Sequence, residues 1–102
     1  MNKLLAVAAI ALSLASGSVL ASDELARAKN CQACHAAERK MVGPSYKDIA
    51  ARYAKERDAA TRLARKIRDG GVGVWGQIPM PANPQVSEAE ALTLARWILA
   101  TK

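Results

Sequence analysis

Cys31-Gln32-Ala33-Cys34-His35 is the stretch on which the reading of this chain turns. Two cysteines two residues apart, with a histidine directly after the second, form the attachment motif of a c-type haem. The spacing has a physical reason. Both thiols must reach the two vinyl groups on one edge of a porphyrin, and the histidine, next in line, turns under the ring and offers a nitrogen to iron. Covalent attachment suits an exported protein, because a haem held this way is not lost by dissociation, and thioether bonds are indifferent to redox poise. Other readings of the cysteines fit less well. A disulfide at this spacing closes a tight loop and stabilises little. A thioredoxin-like dithiol needs alternating strands and helices that the chain lacks. A zinc site needs four N or S ligands, and there is one His and no third Cys.

Upstream of the motif, Met1, Asn2 and Lys3 form a short positive segment, Leu4 to Leu14 is almost wholly apolar, and Ala15 to Ala21 is rich in Ala, Ser and Gly. Val19-Leu20-Ala21 is a small-residue cleavage pattern. Together these predict a secretory signal peptide over residues 1–21, cut before Ser22. The apolar stretch is 11 residues, whereas a spanning helix needs roughly 20, so a cleaved leader is expected and no stable membrane insertion after the cut. The mature domain would be residues 22–102, in the periplasm. The whole chain has no Phe, two Trp and two Tyr, and a domain this small is marginal without a staple in its core. The two cysteines are where such a staple would attach.

Ser22-Asp23-Glu24 predicts a helix start, with a capping side chain and acids at the positive end of the dipole. Met41-Val42-Gly43-Pro44 breaks the pattern. Tyr46, Ile49, Ala50 and Tyr53 then recur at helical spacing. Asp58 is placed to cap a further helix carrying Leu63, Ala64 and Ile67, which Gly70-Gly71 would end. Residues 70–86 hold four glycines and three prolines, a long loop of the kind that is uncommon without a function. Ser87 and Glu90 form a capping box for a last helix bearing Ala91, Leu94, Ala95 and Ile98, with Trp97 beside that stripe. The fold class expected is all-α, four to five short helices and one long irregular loop, wrapped around one covalent haem.

With one histidine in the chain, two-histidine ligation is impossible. The sixth position is either open or filled by Met, Lys or another weaker ligand. Met80, in Ile78-Pro79-Met80-Pro81, lies inside the Gly/Pro loop 45 residues after His35, and its flanking prolines restrict the backbone. Met41 follows His35 by six residues, about 20 Å at full extension, nearly all of which a path round the ring would use; it is expected to pack beside the ring. His/Met ligation raises the potential and saturates iron, which points to electron transfer.

The chain resembles the small class I bacterial cytochromes c of the c-551 (c8) group. The resemblance covers Ser22 to Lys102 and rests on the haem motif, then Lys40-Met41-Val42-Gly43-Pro44-Ser45-Tyr46-Lys47-Asp48, Gly73-Val74-Trp75-Gly76 and Ile78-Pro79-Met80-Pro81, in the family's order and spacing. It implies one haem c on Cys31 and Cys34, with His35 and Met80 on iron. It implies further that the Pro44 carbonyl accepts from His35, fixing its tautomer, that the Trp75 indole donates to a propionate, and that Asn83 lies near enough to Met80 to tune it. Lys66 departs from the pattern: it stands where relatives have an arginine aimed at a propionate, and offers a point charge in place of a planar fork. The resemblance implies a monomeric periplasmic shuttle of single electrons, between a cytochrome bc1-type donor and a nitrite reductase or terminal oxidase.

Without Lys3, fourteen bases face nine acids, a net charge of +5. Such a surface attracts nucleic acid, anionic membrane or an acidic protein; export argues against nucleic acid, and the interleaved acids leave a solvated basic face and a docking surface for acidic redox partners equally open. The alternative functions are a ligand-binding or catalytic haem protein with an open sixth site, and a haem-free exported dithiol oxidoreductase. Neither a second histidine nor a distal acid–base pair is visible for the first. The expectation is an electron carrier and not an enzyme.

Overall fold

The computed structural model of the chain describes the backbone of residues 17–102 and side chains from Ser22 onward. The leader read over 1–21 therefore lies outside the described residues, apart from the backbone of 17–21. Four helices are present, α1 (Gly17–Ala28), α2 (Tyr46–Tyr53), α3 (Ala59–Asp69) and α4 (Glu88–Leu99), with a short 3-10 turn (Cys31–Ala33) and two strands, β1 (Gly71–Gly73) and β2 (Gly76–Met80). No described helix is long and apolar enough to cross a membrane.

Helix α1 does not start at Ser22, as the capping pattern predicts, but runs through it. With upstream residues helical, the N–H groups that a Ser22 cap would serve find carbonyls one turn earlier. Asn30, at φ 64°, ends this stretch in the left-handed conformation that Asn tolerates and turns the chain into the 3-10 turn. Helix α2 opens on Ser45, whose Oγ accepts from the Asp48 N–H at 3.0 Å. Asp58 stands at the N-cap of α3 but makes no capping hydrogen bond with its side chain, so that helix is held by packing. Helix α4 has the full reciprocal box: the Glu90 N–H donates to Ser87 Oγ and the Ser87 N–H to Glu90 Oε1.

Helix α4 packs on α3, α2 and α1 in turn. Its Ala91, Leu94, Ala95 and Ile98 meet Ile49 and Tyr53 of α2, Leu63 and Ile67 of α3, and Ala26 of α1 in one buried cluster, with Val86 closing it from the loop. Five of the thirteen buried apolar side chains among the described residues are alanine. Alanine contributes little area, at about 25 cal/mol per Å², so the protein-only core is thin.

The segment expected to be wholly irregular holds a two-stranded antiparallel hairpin instead. Gly71 pairs with Met80 and Gly73 with Gly76, with an irregularity between. Gly73 and Gly76, at φ 106° and 112°, flank the Val74-Trp75 turn. The strands are exposed on both faces except at Met80, so they carry no period-2 alternation for a sequence reading to find. Pro79 is tolerated in a strand because a two-stranded ribbon has free edges.

Candidate haem-binding site

The 3-10 turn winds the motif so that the His35 and Cys34 N–H groups both donate to the Cys31 carbonyl, at 3.0 and 3.2 Å. That winding turns Cys31, Cys34 and His35 into one cavity of about 490 Å³, within the range of small-molecule and cofactor sites. Its walls are mostly apolar: Ile49 of α2, Leu63 and Ile67 of α3, Leu94 and Ile98 of α4. The hairpin supplies the remaining side with Trp75, Ile78 and Met80. Both cysteines are half-buried and unpaired with one another. Burial pushes the Cys31 thiol up, partly offset by a backbone hydrogen bond.

Three backbone bonds bring the following loop back onto the histidine. The Gly43 N–H donates to the Cys34 carbonyl at 2.8 Å, Tyr46 to Ala36 at 2.9 Å and Lys47 to Ala37 at 3.1 Å. His35 Nδ1 then lies 2.7 Å from the Pro44 carbonyl oxygen. A carbonyl only accepts, so Nδ1 carries the proton and the lone pair of the neutral ring sits on Nε2. Gly43 packs flat on the imidazole: a Cβ there would stand 2.6 Å from His35 Cε1 and 2.9 Å from Nδ1. On the core side the ring stacks on Tyr46, centroids 5.6 Å apart, and Tyr46 meets Trp97 edge to face at 5.1 Å. The Tyr46 hydroxyl is buried without a hydrogen-bond partner. Burial holds it well above the ordinary tyrosine range, and the nearby Cys31 and Asp23 push in the same direction.

The remaining predicted residues divide. Met80 is half-buried and lines the cavity. Trp75 lines it from the hairpin turn, with the Arg52 guanidinium 5.3 Å from its ring centroid, a cation–π contact. Lys66 lines the same cavity, and its Nζ lies 3.3 Å from where a Gly71 Cβ would be. Asn83 does not line it; Nδ2 donates to the Ile67 carbonyl at 2.8 Å and more weakly to Pro81 at 3.4 Å. Met41 is exposed and stays out of the lining. Gly43, Tyr46, Gly70 and Arg52 were not singled out from sequence as parts of the site. Gly43, as part of a breaker, and the helix stop Gly70 are visible there, but only as punctuation.

These residues fit a covalent haem. The apolar cavity is lined by two free thiols, an imidazole whose Nε2 lone pair is left to bind a metal, and a thioether, and this N/S set is too soft for a hard metal ion. A helical fold closed around such a cavity defines a haem c protein of the class I cytochrome type. Comparison with known proteins agrees: the profile of the cytochrome c family matches residues 20–102, and the chain belongs to that family. It is 56% identical over 80 residues to cytochrome c-551 of Azotobacter vinelandii, covering 78% of this chain and 96% of the relative. The crystal structure of wild-type cytochrome c552 from Nitrosomonas europaea is 60% identical and superposes with a TM-score of 0.77, covering 78% of this chain and 99% of that one. The class 1 cytochrome MtoD of Sideroxydans lithotrophicus ES-1, 29% identical, matches with a TM-score of 0.68 over 81% of this chain and 95% of its own. The chain is thus a small electron-transfer protein with one haem c attached through Cys31 and Cys34.

Proposed function

We propose that the mature chain, residues 22–102, is exported to the periplasm and shuttles single electrons, with His35 and Met80 as the axial ligands of its haem iron. The observation that carries this is the hydrogen bond from His35 Nδ1 to the Pro44 carbonyl, in a cavity that Met80 also lines. The bond leaves the Nε2 lone pair free to bind the iron and holds the ring against rotation. The bound haem supplies a one-electron couple. The chain does the rest: Ile49, Leu63, Ile67 and Leu94 keep water from the site, Pro79 and Pro81 limit the travel of Met80, and Trp75 and Lys66 are suited to the propionates.

Val42, Val72, Val74 and Ile78 are exposed around the cavity, and Ala33, Ala36 and Ala37 are small enough to let a partner approach. With a net +5 on residues 22–102, the partners proposed are redox proteins with acidic docking faces, such as a cytochrome bc1-type donor and a nitrite reductase or terminal oxidase, met by a monomer. The reaction rate should then fall as ionic strength rises.

The test is a spectrum of the protein matured in cells with haem-attachment machinery. A reduced c-type spectrum is expected, together with the weak long-wavelength band of methionine on ferric iron, lost in Met80→Ala. Attached haem without that band, binding carbon monoxide at once, would replace the carrier reading with that of an open-site haem protein.

A further inference from the structure

We propose that Gly70, at the end of α3, is a positioning residue for Met80: its missing side chain is the seat on which the Met80-Pro81-Ala82 backbone rests. Gly70 has φ 72° and ψ −166°, a region essentially reserved for glycine. A Cβ there would overlap the Met80 carbonyl oxygen and stand 2.8 Å from both the Ala82 nitrogen and the Pro81 carbonyl carbon. Ordinary carbon contacts are about 3.5–4.0 Å, so any side chain at 70 must lift this backbone by roughly 1 Å.

The lifted segment has nowhere to relax. On one side Met80 pairs with Gly71, the residue after the seat. On the other, the Asn83 N–H donates to the Arg68 carbonyl at 2.9 Å and Asn83 Nδ2 to the Ile67 carbonyl at 2.8 Å. Those two carbonyls belong to the last turn of α3, which has no intrahelical donors for them. Asn83 thus caps α3 from the loop, and by doing so presses residues 80–82 onto Gly70. Pro81 stiffens the strip between the two grips, and Pro79 stiffens the chain just before it. Gly73 is an internal contrast: it too has positive φ, at 106°, yet a Cβ there would meet nothing within 4 Å. Backbone strain is common to both glycines, and only Gly70 sits against the Met80 backbone.

This inference rests on Met80 being an iron ligand. The experiment titrates imidazole against wild-type, Gly70→Ala and Gly73→Ala haem proteins, reading the ferric methionine band and imidazole affinity. Gly70→Ala should bind imidazole at least tenfold more tightly and lose part of the band. Gly73→Ala should stay within twofold of wild type on both readouts while unfolding more easily. Wild-type behaviour in Gly70→Ala, or an equal effect in Gly73→Ala, overturns the proposal and leaves the ligation standing. A wild-type protein without the band overturns the ligation, and Gly70's role with it. Should Gly70→Ala not mature, Asn83→Ala, which keeps glycine at 70 and removes the Ile67 tie, should raise imidazole affinity at least threefold; no change there overturns the proposal as well.

Discussion

At the scale of single residues, His35 is held by what surrounds it more than by its own place in the chain. Nδ1 donates to Pro44, one ring face lies on Gly43 and the ring stacks with Tyr46. The motif announces the histidine from sequence, but the glycine that makes room for it is eight residues away and reads there only as part of a break. Its role depends on a close approach that the fold creates. Gly43→Ala should overpack the imidazole and destabilise the haem protein by about 1–3 kcal/mol. In guanidinium unfolding this is expected as a lower midpoint at unchanged slope; an unaltered midpoint would show that the ring has room to move.

At the scale of elements, α4 is the part most legible beforehand. Its apolar positions 91, 94, 95 and 98 and its capping box, all readable in one segment, are those of the structure. Ser87→Ala should cost about 1 kcal/mol, seen as a lower thermal midpoint. Glu90 provides the pH dependence. The Ser87 N–H, followed by the charge of Lys29, holds its carboxyl below the usual carboxylate range. Its contribution is therefore present above the unfolded value of about 4.3 and is lost as pH falls through the lower folded value. Glu90→Gln should lower the midpoint at pH 7, and the gap to wild type should narrow below about pH 4; a gap constant with pH would remove this role. The hairpin was less legible for an equally local reason. Strands exposed on both faces except at Met80 carry almost no buried positions, and a sequence pattern reflects burial. Asp58 shows the converse: a residue of the right type stands at the right position, and the cap is not made.

At the scale of the whole molecule, an alanine-rich core closes around a cavity of about 490 Å³, and the haem is the staple the composition called for. A Cys31→Ala/Cys34→Ala double variant, matured under the same conditions, should carry no covalent haem and lose cooperative thermal unfolding; circular dichroism that keeps a sharp transition would show the protein core to be sufficient alone. What the sequence by itself determined is whatever is encoded within a few residues: the haem motif, the capping box of α4, the apolar faces of α2, α3 and α4, and the suspicion attached to a methionine between prolines. Only the tertiary structure decided the rest. It showed that Gly43 lies against His35, that Arg52 stacks on Trp75, and that Asn83 caps α3 outside the cavity lining. It showed too that Gly70 lies under the Met80 backbone. These are contacts between residues as many as 23 positions apart, set by how the helices pack, and no local pattern of residue types specifies which atoms such packing brings within 3 Å.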